Sequence, residues 1–311
     1  MKYTLEKYND KEYIIKDNVG INKGRIYFIE NDIENRYVSF RLSLYKDLNR
    51  DEETIHYIIK NLLDSLIRSN IETVSVYCEE GILIYPLTNF GFIFNCYIEK
   101  RIKKGNNNFS REMLFTLDTS DYNVKNEEML ILKGESIELR LLNETYAEKL
   151  LDYYSRNKDH LMPFDPKRSQ TFYTIENQEK SLRQGYLDYL NNSCAEFGIF
   201  KDNMLIGKIR ISSIVKGVFN NAFVGYSIDK NMQNKGYMKE ALKLVIDFSF
   251  NRLKLHRIEA SALIDNIKSE RVLLSCGFKR IGETKNYLFI NGKWRDHNVF
   301  YILRDENKLE V

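Results

Sequence analysis

The chain has little of what marks several large classes of protein. Three prolines in 311 residues leave no proline-rich linker or polyproline ligand. Its four cysteines, Cys78, Cys96, Cys194 and Cys276, stand apart without a CxxC pair, so neither a disulfide framework nor a zinc knuckle is expected. No uninterrupted apolar run reaches membrane-spanning length, and the opening MKYTLEKYND has no apolar core. The expectation is a reduced, cytoplasmic protein without a signal peptide. Charge of one sign is also lacking: 29% of residues are charged with a net of only +3. A concentrated basic stripe is absent, and direct nucleic-acid binding is not expected. His160, His256 and His297 show no ligand spacing, so no metal site is expected.

Hydrophobic residues at 43% and aromatics at 13% are ample for packed cores. At this length two domains of roughly 150 residues are the natural reading. A polar, turn-rich stretch between Ser120 and Gly134 separates them. The division read from it is a first domain over 1–125, a linker over 126–136 and a second domain over 137–305. The second domain reads as strand Ile137 to Leu142, helices Glu144 to Ser155 and Ile175 to Asn191, strands Glu196 to Phe200 and Leu205 to Ile214, and strand Val224 to Ile228. A helix from about Lys239 to Leu253 follows, then strand Arg257 to Ile264, helix Ser269 to Cys276, and two strands joined at Asn291-Gly292, a two-residue hairpin turn. The first domain repeats part of this order, with strand Tyr37 to Tyr45, helix Glu52 to Ser69 and strand Ile71 to Tyr77. The Phe90-Gly91-Phe92 landmark answers to Cys276-Gly277-Phe278. It reads as a truncated copy of the second, or as generic α+β similarity.

The segment VGYSIDKNMQNKGYMKEA, Val224 to Ala241, carries the most chemistry. An apolar strand runs through a glycine-bearing loop into an amphipathic helix with Leu242, Val245, Ile246 and Phe250 on one side. A strand, a loop and a helix N-terminus in that order make an anion cradle, since orphan N–H groups and the helix dipole converge there. Gly236 permits close backbone approach, and Lys235 and Lys239 add positive charge. A pyrophosphate site is expected. The corresponding stretch of the first half, KDLNRDE before Glu53, has no glycine and three acidic residues. It is expected to repel a pyrophosphate, leaving the first domain to packing, dimerisation or substrate recognition.

From Gln233, QNKGYM resembles the Q/R-x-x-G-x-G/A loop of the GCN5-related N-acetyltransferases (GNAT). HRIEA, an N-x-x-S pair at Asn266 and Ser269, and a Gly-Phe follow at the right spacings. HLMPFDP, SSIVKGVFNNAFVGYSID, LHRIEA and YLFINGKWRDH narrow the resemblance, over about Ile137 to Leu303, to the ribosomal-protein-alanine N-acetyltransferase (RimJ/RimL-like) branch. The resemblance implies an α/β (mixed α+β) GNAT fold: a strongly twisted mixed sheet flanked by helices, whose central parallel strands splay to admit acetyl-CoA, here in tandem with a degenerate copy. It implies direct acetyl transfer to an amine, with a protein or peptide N-terminus, such as that of a ribosomal protein, as acceptor; a homodimer is also considered. Acetylation of an antibiotic or polyamine, and a non-catalytic acyl-CoA-binding module, are the alternatives.

On this reading Tyr226, Ile228, Gln233, Asn234, Lys235, Gly236, Tyr237, Met238, Lys239, Asn266 and Ser269 bind acetyl-CoA. Asn266 and Ser269 are equally suited to capping the next helix. Met238 stands where the family has a small residue and Asn234 where glycine is common; of the two departures Met238 is the one with the bulk to crowd the pyrophosphate, and loss of function is not expected. The family's tyrosine acid is replaced by Leu273, so Ser227 and Tyr287 are the candidate catalytic residues. Each also reads as a packing residue. Glu259 suits a proton relay through water or an ion pair with Arg257 or His256. Phe164, Asp165, Trp294 and Asp296 are assigned to the acceptor mouth.

Overall fold

The computed structural model describes residues 3–45, 48–105, 108–122 and 130–304, apart from the side chains at 104 and 108. The chain divides into two compact units, Met1–Glu128 and Met129–Val311.

The second unit begins with β8 (Ile131–Lys133) and β9 (Glu138–Leu141), which pair antiparallel. The stretch expected as linker therefore holds strand at 131–133, while 126–129 lies outside the described residues. Three helices follow: α3 (Ala147–Arg156), α4 (Lys158–Leu161) and α5 (Ile175–Leu190). Leu150, Tyr153, Tyr154, Leu161 and Leu182 bury together with Phe200 and Leu205 of the sheet. The chain then forms β10 (Ala195–Lys201), β11 (Met204–Val215), β12 (Asn221–Ile228), α6 (Tyr237–Asp247), β13 (Arg257–Leu263), α7 (Ile267–Ser275), β14 (Lys279–Ile290) and β15 (Lys293–Leu303). Their order in the eight-stranded sheet is β14-β15-β13-β12-β11-β10-β9-β8. The β14–β15 turn is Asn291-Gly292 with φ of 46° and 84°, the left-handed pair that a twisted two-residue hairpin demands.

Helix α6 starts two residues earlier than its apolar pattern predicts and ends at Asp247, with a wider π-type turn over Phe248–Arg252. Met238, Ala241, Leu242, Val245 and Ile246 form its buried stripe. Each large aliphatic side chain on that stripe contributes about 1.5–3 kcal/mol.

One relationship in this sheet positions the site. β12 and β13 run parallel but pair only from Asn221↔Arg257 to Phe223↔Glu259. Beyond that β12 keeps its partner β11 and β13 keeps β15, so the two strands separate.

The first unit contains β1 (Tyr3–Asn9), β2 (Glu12–Asp17), β3 (Asn22–Asp32), β4 (Tyr37–Leu44), α1 (Glu52–Arg68), β5 (Thr73–Glu79), α2 (Tyr85–Asn89), β6 (Ile93–Gly105) and β7 (Asn108–Asp118). Sheet order β1-β2-β3-β4-β5-β7-β6, with β4 and β5 parallel across α1, repeats β9-β10-β11-β12-β13-β15-β14 with β12 and β13 parallel across α6. Gly91 after α2 and Gly277 after α7 hold φ of 96° and 90°. The truncation is visible at one place: β1 turns directly into β2, where the second unit inserts α3, α4 and α5.

The copy differs where a cofactor would enter. β4 and β5 stay paired from Tyr37↔Thr73 to Leu42↔Cys78, so no gap opens. Asp51 caps α1, its carboxylate accepting from the Thr54 N–H at 3.0 Å and from the Thr54 hydroxyl at 2.7 Å, with Glu52 and Glu53 in the first turn. A carboxylate thus holds the place of an anion. Residues 46–47 of the acidic stretch lie outside the described residues.

Candidate active site

The separation of β12 from β13 opens a cleft of about 860 Å³. Val224 to Ile228 form one wall and Ala260 to Leu263 the other; Gln233 to Lys239 and the start of α7 close one end, and His160, Leu161, Phe164 and Asp165 lie across it. The backbone of β12 is prepared for a ligand. Asp229 N–H donates to the Ile206 carbonyl at 2.7 Å, and Ile228 is opposite Gly207. Antiparallel pairs alternate, so Ile228, Tyr226 and Val224 turn their N–H and C=O groups away from β11, into the gap.

The loop between β12 and α6, the expected phosphate end, turns through two left-handed residues. Asn234 and Gly236 have φ of 60° and 81°. Only glycine takes the latter at little cost, and an added Cβ there would meet open space. No side chain caps α6, and its first intrahelical bond runs from Glu240 N–H to the Gly236 carbonyl at 3.0 Å. The N–H groups of Tyr237, Met238 and Lys239 therefore lack helical partners. Glu240, the acid of that first turn, is drawn aside by the Ser136 N–H at 2.8 Å. Lys235, Lys239, Lys268 and Arg271 line the cleft. Orphan donors, uncompensated lysines and a slot between strands fit the pyrophosphate and pantetheine arm of acetyl-CoA.

Met238 lines the cleft from the buried stripe of α6. It is only 6% exposed, with little surface to offer a ligand. Asn266 caps α7, accepting from Ser269 N–H at 3.2 Å. Ser269 Oγ lies 3.0 Å from the Tyr226 hydroxyl. Both also line the cleft, so the cap does not withdraw them from it. Gln233 connects two elements: its Nε2 lies 2.9 Å from His160 Nε2, and its Oε1 accepts from Lys268 Nζ at 2.8 Å. Burial pushes the His160 imidazole below its ordinary value, aided by Lys268 and Lys230; a hydrogen bond to the Ile228 backbone and the charge of Asp229 oppose this.

Ser227, a candidate catalytic residue, lines the cleft with its Oγ 2.9 Å from the Tyr153 hydroxyl. Burial pushes the Tyr153 phenol well up, so it remains a protonated donor. Sequence reasoning missed Tyr153, which lies inside an ordinary amphipathic helix. The other candidate, Tyr287, is outside the lining. It is half-buried against His297, ring centroids 5.6 Å apart, and His297 itself lines the cleft.

Of the acceptor residues, Phe164 and Asp165 line the cleft, and the Asp165 carbonyl accepts from Asn291 N–H at 3.3 Å, joining the segment after α4 to the β14–β15 turn. Trp294 and Asp296 do not line it. Trp294 is 60% exposed against Phe289, and Asp296 pairs with Lys285 at 2.9 Å. Register explains this, since these residues follow the hairpin turn on a strand whose inward residue is His297. Glu259 pairs with Arg257 at 2.7 Å, leaving the ion-pair reading. Cys276 is buried, its thiol pushed up by burial and its Sγ 3.6 Å from the Lys239 carbonyl, a packing residue and no nucleophile.

Residues 136–279 match the family model described as an acetyltransferase (GNAT) domain. Probable N-acetyltransferase YjcK of Bacillus subtilis is 39% identical over 180 residues, covering 57% of this chain and 99% of that relative. The chain belongs to the GNAT acetyltransferases. It is an N-acetyltransferase, and acetyl-CoA is its co-substrate. Among other relatives, the [ribosomal protein uS5]-alanine N-acetyltransferase of Escherichia coli is 33% identical, covering 53% of this chain and 87% of that enzyme. The solved structure of ribosomal-protein-S5-alanine acetyltransferase from Vibrio fischeri aligns at TM-score 0.55 with 36% identity. It covers 58% of this chain and 99% of its own. The TM-score and coverage fit a chain in which the GNAT domain occupies the second unit. No helix among the described residues is long and apolar enough to cross a membrane.

Proposed function

We propose that the chain transfers acetyl from acetyl-CoA to the α-amine at the N-terminus of a protein, such as a ribosomal protein, in the cytoplasm. Residues 137–305 carry the reaction, and residues 1–125 serve recognition or packing without binding acetyl-CoA. The observation that carries the acceptor reading is the state of the carboxylates in the cleft. Among the described residues its lining contains two, Asp165 and Asp265, and each is paired with an arginine, Arg168 and Arg295. A polyamine or polycationic antibiotic needs several uncommitted carboxylates, whereas a single α-amine with an uncharged side chain does not. The uS5-alanine relative supports the same acceptor class.

Bound acetyl-CoA supplies the activated acetyl group. The outward N–H groups of Tyr226 and Ile228 suit stabilising negative charge developing on a carbonyl oxygen, without reorganisation. Ser227, whose Oγ accepts from the Tyr153 hydroxyl, keeps its own proton available to a departing thiolate. Tyr287 acts indirectly, by backing His297.

The test is thiol release from acetyl-CoA against an amine panel. A peptide beginning with Ala must exceed spermidine in kcat/KM by at least about tenfold, some 1.4 kcal/mol of transition-state preference. Spermidine turning over faster would move the assignment to small amines. No thiol release with any amine would favour the non-catalytic reading.

A further inference from the structure

The reaction needs the acceptor ammonium to lose a proton before its nitrogen attacks, and Ser227 and Tyr153 are both arranged as donors. Among the described residues two imidazoles line the cleft, and their bonding separates them. His160 Nε2 is engaged by Gln233. His297 is different. Its Nδ1 lies 3.0 Å from the Arg295 carbonyl, which can only accept, so the proton sits on Nδ1 and Nε2 carries a lone pair. No described residue hydrogen-bonds Nε2. The residue is only 4% exposed and lines the cleft, so whatever access it has is from the cleft side.

His297 is also held on two further sides. The Tyr287 ring packs on it from β14, and across the β13–β15 ladder it is opposite Leu263, a residue of the cleft wall. An imidazole with its tautomer set by a backbone carbonyl, its ring braced by a tyrosine and its second nitrogen uncommitted is the arrangement of a general base.

We propose that His297 Nε2 is the general base of the acetyl transfer. It takes the proton from the acceptor ammonium, and the freed nitrogen pair forms the C–N bond. The C–S bond breaks with its electrons on sulfur, the Ser227 hydroxyl protonates the thiolate, and the second proton, which leaves nitrogen as the amide forms, restores the Ser227 hydroxyl. His297 returns its proton to solvent with product release. The proposal rests on the GNAT reaction and not on the identity of the acceptor, so a failure of peptide substrates leaves it testable with whichever amine turns over. Charged groups around it are Arg295 with Asp265, and Asp296 with Lys285 and Glu283; Tyr287 is the titratable neighbour on β14.

The experiment combines histidine NMR titration of the free intact protein with the pH profile of kcat/KM. His297 must titrate at the pH where the acid limb of kcat/KM bends, because that limb reports the free enzyme. His297→Gln keeps a donor for the Arg295 carbonyl but cannot take a proton, and kcat/KM is expected to fall by about 10²- to 10³-fold with the acid limb gone. Acetyl-CoA affinity by calorimetry stays within about twofold, and added imidazole restores part of the activity of His297→Ala. A His297 midpoint away from the limb, or His297→Gln with wild-type kcat/KM, overturns the proposal. So does a loss of rate matched by loss of acetyl-CoA affinity and not rescued by imidazole. If neither variant folds, agreement or disagreement between midpoint and limb in the unmodified protein decides alone.

Discussion

The Tyr153 hydroxyl stands 2.9 Å from Ser227 Oγ, linking the middle of α3 to the cleft strand β12. Tyr153 is fully buried in the helical layer that the first unit does not have. The same helices that complete the core of the second unit therefore also brace its cleft.

Removing that brace has a defined cost. Tyr153→Phe keeps the ring and deletes one buried hydrogen bond, a loss of about 1 kcal/mol in unfolding free energy. If Ser227 protonates the thiolate, kcat falls about tenfold while the KM for acetyl-CoA stays within about twofold. Denaturant unfolding and steady-state kinetics read the two effects separately. An unchanged kcat would remove Tyr153 and Ser227 from the proton path.

The cofactor loop gives a stoichiometry. Only the second unit separates its parallel strands and leaves its helix uncapped, so calorimetry is expected to find one acetyl-CoA per chain. Gly236→Ala has room for the methyl group but not the dihedral, φ being 81°. It costs about 1–2 kcal/mol of stability and weakens acetyl-CoA by roughly tenfold. Gly236→Asp is expected to abolish binding. Residual binding in that variant would place a second site elsewhere.

His160 makes stability depend on pH. Its folded value lies below the ordinary one, chiefly through burial, so between the two the unfolded chain binds the extra proton. Its contribution is complete above about pH 6.5 and is lost as pH falls through the folded value. Unfolding free energies from pH 7.5 to 5 are expected to decline, with a shallower decline in His160→Gln. Equal slopes would assign the decline to other groups.

Asp229 ties β12 to the end of α3, accepting from Arg156 Nε at 2.7 Å and Asn157 Nδ2 at 3.0 Å. Burial alone would raise its carboxyl, and the bonds from Asn157 and Arg156 outweigh that and hold it below the usual range. Asp229→Ala leaves Arg156 without this partner and is expected to cost about 3 kcal/mol, read as a lower denaturant midpoint at unchanged slope. A loss under about 1 kcal/mol would mean that solvent replaces the carboxylate.

Much of the site was legible because its signals are local. The left-handed turns at Asn234 and Gly236, the amphipathic stripe of α6 and the Asn291-Gly292 hairpin each depend on a few adjacent residues. β8 is three residues long and was hidden in a polar stretch. β1 was missed because its apolar alternation stops after Tyr3 and Leu5 and the rest of the strand is exposed. Tyr287, Trp294 and Asp296 were drawn towards the cleft by their nearness in sequence to its motifs. The pairing breaks between Thr284 and Leu288 and the register of β15 turn Leu288, Ile290 and His297 inward in their place.

The sequence by itself determined the loop, the helix it opens and the family, since backbone dihedrals and periodicity are properties of neighbouring residues. Tertiary structure alone decided that β12 and β13 part after three pairs while β4 and β5 stay joined for six. It also brought Tyr153 to Ser227 and left the His297 Nε2 uncommitted among the described residues. Strand register and cross-element hydrogen bonds join residues far apart along the chain, and no local pattern encodes which pairs will meet.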